Sequence, residues 1–397
     1  MPLPTALVRP FAALLGLACL PSLQAGESPR PETALIATAS PPQEPFPHLG
    51  RLYHSETNPI LNELWILGRY HGQNHWSDGS GGNDEGWEHR RLRLGGQIRL
   101  FKNLTLHAQA VAGADLELLY NGFTELWISW RFSEAISLTL GQQKHRFTHD
   151  RNVSSRYLNY LERSLLTNMF AADYTPAITV SGGVGRFSYY AGVFSNATGR
   201  DMGRAFTEYN SGYSFLASGT FDLEHSPDLD GAFLNLSYVR SHATENATNL
   251  NTFDHGLAAA LILTKGPVSL LTEITAGLGA VNGNAVGINF QPGIFLTDKL
   301  QLVARYQLAA SNEENGLRAQ RRYEREVGLT TGDLYQAGYV GLNYYIAGHR
   351  LKLMSGIEYA HLGNEESWTG SVAVRFFFGP HARSPFPTDG TLAGLLR

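Results

Sequence analysis

Cysteine is nearly absent: Cys19 is the only one in 397 residues. A disulfide framework and a thiolate metal site are therefore both excluded. Long apolar runs are also missing. Outside residues 11–20 no stretch approaches the ~18 apolar residues of a spanning helix, so no helical span is expected. The net charge of −4 excludes a global attraction to nucleic acid. The motifs of common enzymes are lacking as well: there is no HExxH, no GxSxG elbow, no P-loop and no dinucleotide fingerprint. The histidines are scattered without ligand spacing; His145 and His149 are four apart but fall in an expected loop. No catalytic residue, cofactor or metal is expected.

What is present begins with an export signal. Arg9 gives a thin positive start, Phe11 to Leu20 is a short apolar stretch, and Ser22-Leu23-Gln24-Ala25 offers a cleavage site. Cleavage after Ala25 would remove Cys19. Residues 26–60 carry Pro29, Pro31, Pro41, Pro42, Pro45 and Pro47 and read as an extended periplasmic leader.

From about residue 62 to 378 the chain has a rhythm. Segments of alternating apolar and polar residues recur, joined by gaps that are alternately very short and long. Alternation means strands with one greasy and one wet face. Strands are expected at 62–71, 88–101, 103–114, 121–132, 135–145, 176–183, 185–195, 212–223, 230–241, 253–264, 267–279, 284–296, 299–311, 335–346, 349–362 and 367–378. Tight turns at 102–103, 133–134, 184–185, 265–266, 297–298 and 347–348 fall on one side. Long connections at 72–87, 146–175, 196–211 and 312–334 fall on the other. This is the pattern of a transmembrane antiparallel up-and-down β-barrel of about sixteen strands in a Gram-negative-type outer membrane. Its mean hydropathy of −0.19 looks soluble, because the lipid face occupies only every second residue. The expected domains are a signal at 1–25, the leader at 26–60, the barrel at 61–378 and an extension at 379–397.

Alternation also assigns faces. In 91–100, Leu92, Leu94, Ile98 and Leu100 oppose Arg91, Arg93, Gln97 and Arg99; in 125–132, Leu126, Ile128, Trp130 and Phe132 oppose Glu125, Ser129 and Arg131. A charge in lipid near the midplane costs ~2–4 kcal/mol, so the arginines belong in the lumen. There they are either solvated wall charges, partly paired with Glu125, Glu273 and Glu358, or an anion track, since guanidinium forks suit oxyanions. The longest connection, 146–175, joins the fifth and sixth strands and follows Lys144 with Arg146, Arg151, Arg156 and Arg163. Folded into the barrel as a constriction loop, it would narrow the pore and focus the field. Trp65, Trp127, Trp130, Tyr306 and Tyr344 are candidates for interfacial aromatic girdles.

Three segments carry a resemblance. Thr139-Leu140-Gly141-Gln142-Gln143-Lys144, Tyr160-Leu161-Glu162-Arg163-Ser164-Leu165 and Tyr189-Tyr190-Ala191-Gly192-Val193-Phe194 are similar to the phosphate-selective porin O and P family. The resemblance implies a sixteen-stranded homotrimeric porin in outer-membrane lipid. It implies that the third external loop folds inward, and that arginine and lysine line a pore for phosphate or other small anions. Substrate contacts are then expected from Arg91, Arg93, Arg99, Arg131, Lys144, Arg146, Arg151, Arg156 and Arg163. The alternatives are a non-specific small-solute porin, a barrel enzyme, or an adhesin or receptor working through 72–87 and 312–334. A barrel enzyme needs a nucleophile and base facing each other on adjacent strands, and the sequence offers no such pair.

Overall fold

The computed structural model describes residues 46–113, 116–196, 212–223, 229–243, 253–279, 282–320 and 322–380. The expected signal, residues 26–45 of the expected leader, the 197–211 connection and residues 381–397 lie outside this set. A short strand, β1 (Arg51–His54), comes first. Then follow β2 (Leu61–Gly79), β3 (Gly82–Leu100), β4 (Leu104–Val111), β5 (Phe123–Arg131) and β6 (Ser137–Lys144). Two short helices, α1 (His149–Asn152) and α2 (Leu165–Phe170), lead into β7 (Tyr174–Val184), β8 (Phe187–Ser195), β9 (Gly212–Asp222) and β10 (Gly231–Ala243). The chain continues through β11 (His255–Lys265), β12 (Val268–Leu278), β13 (Ala285–Phe295) and β14 (Leu300–Ser311). A two-residue pair, β15 (Leu317–Arg318) and β16 (Thr331–Gly332), precedes β17 (Leu334–Ala347), β18 (Leu351–Leu362) and β19 (Glu365–Phe378).

Sixteen of these strands close an antiparallel barrel. β2 to β14 pair in sequence order, β14 pairs with β17, and β19 returns to β2. Closure leaves no sheet edge unpaired, which a hydrocarbon environment requires. The pleat sorts the side chains as the alternation predicts. Leu94, Ile128, Phe215, Leu257, Phe290, Val340, Leu342 and Val372 are exposed on the outer wall, whereas Gln109, Thr179, Asn235, Gln301, Gln307 and Asn343 are buried facing inward. β1 lies against β2, with His54 opposite Glu63.

The chief difference from expectation lies at 72–87. This is not a long loop: β2 and β3 run on as a hairpin to a two-residue tip at Ser80-Gly81, with Gly79 paired to Gly82. Its inward residues are polar (Gln73, His75 and Ser77 are buried), so hydrophobic alternation gave no signal there. The tip rests on the 312–333 connection. Gly81 N–H donates to Val327 O at 2.8 Å, and a Cβ on Gly81 would lie 2.7 Å from Gly328 Cα. Two girdle candidates also differ. Trp65 and Trp127 face the lumen, while Trp130, Tyr306 and Tyr344 are exposed outside.

Candidate functional site

The segment between β6 and β7 makes its contacts with lumen-facing groups. Thr148 starts α1, its Oγ1 accepting from Arg151 N at 3.0 Å. The free amide hydrogens of His149 and Asp150 meet the carboxylate of Glu273 on β12. Asp150 in turn accepts from Ser164 N at 2.8 Å and Oγ at 3.1 Å, which ties the two ends of the segment together. Leu165 N, at the start of α2, donates to Gln307 Oε1 on β14 at 2.8 Å. Tyr160 Oη reaches Ala304 O on β14 at 2.8 Å. Lys352 on β18 donates to Leu158 O at 2.5 Å, and Asn343 on β17 to Asn159 O at 3.1 Å.

Apolar anchors reinforce these bonds. Phe147, Leu165, Leu166 and Phe170 pack with Phe253, Ala258 and Leu317, and Val153, Tyr157 and Leu158 with Phe377. Gly277 of β12 admits this packing, because a Cβ there would come within 2.8 Å of the Phe170 ring.

Between this segment and the opposite wall lies a cavity of about 680 Å³. It reaches from the short-turn end, at Lys102, Asn103 and Glu134, to Arg91, Lys144, Arg151, Arg163 and Tyr174. Ten arginines and two lysines line it against three glutamates, Glu63, Glu125 and Glu134. All nine cations singled out from the sequence are among them: Arg91, Arg93, Arg99, Arg131, Lys144, Arg146, Arg151, Arg156 and Arg163.

Their local chemistry differs. Arg93 donates to Tyr174 Oη at 2.8 Å and lies over that ring, which Arg151 also covers. Arg151 pairs with Asp173 at 3.0 Å and Arg99 with Glu63 at 2.7 Å. Arg146 lies over Tyr190, and Arg156 lies over Phe377 while donating to Pro380 O at 2.7 Å. Lys144 donates to Asn152 O and Val153 O at 3.2 and 3.1 Å. Arg163 donates to Val153 O at 2.7 Å and stands 3.6 Å from Asp150. Arg91 stands 3.4 Å from His71, and Arg131 is exposed at the rim. Among the described residues, Nε of Arg69, Arg93 and Arg163 and Nη1 of Arg163 have no hydrogen-bond partner. Arg93, held on the Tyr174 ring face, presents a fork to an anion without losing side-chain entropy on binding.

Of the three acids expected from the sequence to pair with lumen arginines, Glu125 lies 3.8 Å from His107, Glu358 pairs with Arg305 at 2.8 Å, and Glu273 holds α1. Arg69, Arg51 and Lys102 complete the twelve cations of the cavity wall and escaped the sequence reading. Arg69 shares its inward face with Trp65 and Leu67, so that face looked apolar. Lys102 looked like a turn residue only. Arg90 escaped for another reason. β2 and β3 slip register between His71 and Gly72, and this bulge turns both Arg90 and Arg91 inward. Arg90 then grips Glu162 with both ends of its fork, at 2.9 and 3.1 Å.

Burial sets the loop's titration. It pushes His145 down to about 3, helped by Arg151, and His149 down to about 4 despite Asp150. Both are therefore neutral in use. Burial lowers Arg163 to about 10 against the pull of Asp150, which leaves it a cation at neutral pH. Burial acts to raise the Glu162 carboxyl, but the Arg90 charge and hydrogen bonds outweigh it and hold the group below the usual range. No cluster of His, Cys, Asp and Glu able to hold a metal occurs among the described residues.

The sequence profile of phosphate-selective porin O and P matches residues 69–260. No curated protein matches the chain by sequence. Solved structures similar in fold include Pseudomonas putida OprB at high pH (TM-score 0.58, 12% identity, 79% of this chain and 94% of that one). Others are Salmonella typhi OmpF in complex with daunomycin (0.55, 11%, 82% and 100%) and the outer membrane channel DcaP of Acinetobacter baumannii (0.54, 10%, 82% and 99%). At these identities the likeness is one of fold. Barrel, apolar outer band and family profile put the protein in the outer membrane of a Gram-negative-type bacterium.

Proposed function

We propose that this chain, an outer-membrane porin of the phosphate-selective porin O and P family, conducts small anions by passive diffusion, with phosphate-like oxyanions preferred. The observation that carries the reading is the cavity wall, with twelve arginines and lysines against three glutamates. In a confined space with low-dielectric walls such a surplus raises the local anion concentration and repels cations. The 145–173 segment is the constriction in this reading, and the nine cations named above are the substrate contacts. A homotrimer is the assembly that the family resemblance suggests. We assign the chain no catalytic reaction.

The test is conductance in planar bilayers. A salt gradient should give a reversal potential of anion-preferring sign, and phosphate added to a chloride solution should reduce the chloride current. Replacing Arg91, Arg93, Arg99 and Arg131 together by glutamine should lower the anion-to-cation permeability ratio. An unchanged ratio would reduce these residues to solvated wall charges. Phosphate that never blocks would leave a non-specific small-solute pore.

A further inference from the structure

The outer wall of β8 to β12 is hollowed into an apolar groove of about 650 Å³. It forms because small residues stand on the lipid side: Ala217 and Gly219 on β9 and Ala259 on β11, where neighbouring positions carry Phe215, Leu257 and Ile274. Five strands spaced ~4.8 Å apart make the hollow about 19 Å wide, room for several acyl chains lying side by side.

At the long-loop end of this groove the wall carries a cation. Val239 faces inward and is fully buried, so its neighbour Arg240 faces outward. No other arginine of the sixteen barrel strands, among the described residues, falls on the lipid side. Arg240 Nη1 donates to His255 Nε2 at 2.7 Å, and His255 Nδ1 meets Tyr238 Oη at 2.8 Å. Tyr238 is itself a groove residue, so the guanidinium is fixed directly above the apolar hollow. Asp254, exposed, stands 3.9 Å away and neutralises it only in part. An arginine on a lipid face is unfavourable unless its charge is met.

We infer that this groove and Arg240 form a binding site for one phosphorylated, many-chained lipid of the outer leaflet, of the lipid A type. The breadth of the hollow takes the chains, and the guanidinium takes a headgroup phosphate through a charge-assisted hydrogen bond. The site is on the outside of the barrel and does not depend on what the lumen conducts.

The experiment uses the full chain, delipidated in detergent, with lipid A, enzymatically dephosphorylated lipid A and a two-chain phosphoglyceride as probes and native mass spectrometry as readout. Lipid A should bind one per chain. Loss of the phosphate or of the guanidinium should each weaken binding about tenfold, as a net charge-assisted bond of ~1.5 kcal/mol requires. The two losses should not add, because R240Q has nothing left for the phosphate to meet. A259F, which fills the groove with an apolar side chain, should abolish binding while keeping heat-resistant gel migration. Equal binding of lipid A and its dephosphorylated form would overturn the inference, as would equal binding of the phosphoglyceride. It would also fall if A259F changed the oligomer mass and left lipid binding intact, since a second copy of the chain would then be the groove's occupant.

Discussion

Arg93 shows what one residue contributes and how far it was legible. Its face follows from alternation with Leu92 and Leu94, and the structure puts it in the cavity wall. Its partner, Tyr174, lies 81 positions away, at the start of β7; no local pattern announces that pairing. The same limit hid Arg90, whose inward turn depends on a bulge. Arg93 therefore separates charge from geometry. R93K keeps the charge and loses the planar fork on the tyrosine ring. It should retain most of the anion preference while weakening phosphate block several-fold. R93Q should lower both. Reversal potentials and phosphate titration of chloride current on the two variants check this. Equal phosphate block in R93K and the parent would mean that charge alone matters at this position.

At the scale of elements, the barrel strands were legible because lipid imposes a strict period of two. The extension of β2 and β3 was not, since beyond the apolar band the hairpin meets another loop instead of lipid. His75 lies against Tyr323 with ring centroids 4.6 Å apart and planes tilted by 40°, and Tyr323 Oη donates to Glu88 at 2.6 Å. The covering loop also buries Glu324, whose carboxylate accepts from Tyr335 Oη and Gln320 N, each at 2.7 Å. Burial, reinforced by Glu358, pushes this carboxyl up from 4.5 to about 7. A raised acid binds its proton more tightly in the packed loop than in the free one. Its contribution is therefore complete below about pH 4.5 and is lost as pH rises through about 7. Amide exchange in 316–332 should accelerate across that window, after correction for intrinsic rates, and E324Q should flatten the dependence. A parent whose corrected exchange is flat from pH 4 to 8 would show that Glu324 does not control the loop.

For the whole molecule, the alternation of short and long gaps was enough to give sixteen strands and their up-and-down order, because a single wrong strand would have inverted every later gap. What it did not give is the set of contacts made by the segment between β6 and β7. The contacts of residues 145–173 with β12, β14, β17 and β18 join positions far apart in sequence, and only closure brings them together. The same alternation orients the barrel. With the chain entering from the periplasm, the turns at 102–103, 133–134, 184–185, 265–266, 297–298 and 347–348 face the periplasm, while the 312–333 connection and the two-residue tips at 80–81 and 363–364 face outward. Asp298, in the turn between β13 and β14, and Glu326, in that connection, are both exposed, so accessibility of the side chain does not bias a comparison between them. The single native cysteine lies in the expected signal segment, which makes the parent chain a suitable unlabelled background. Under this orientation E326C should react with a membrane-impermeant maleimide on intact cells. D298C should react only after the outer membrane is permeabilised. Labelling of D298C on intact cells, with E326C silent until permeabilisation, would invert the barrel. It would also turn the end of the arginine-lined cavity at Lys102 and Glu134 towards the medium instead of the periplasm.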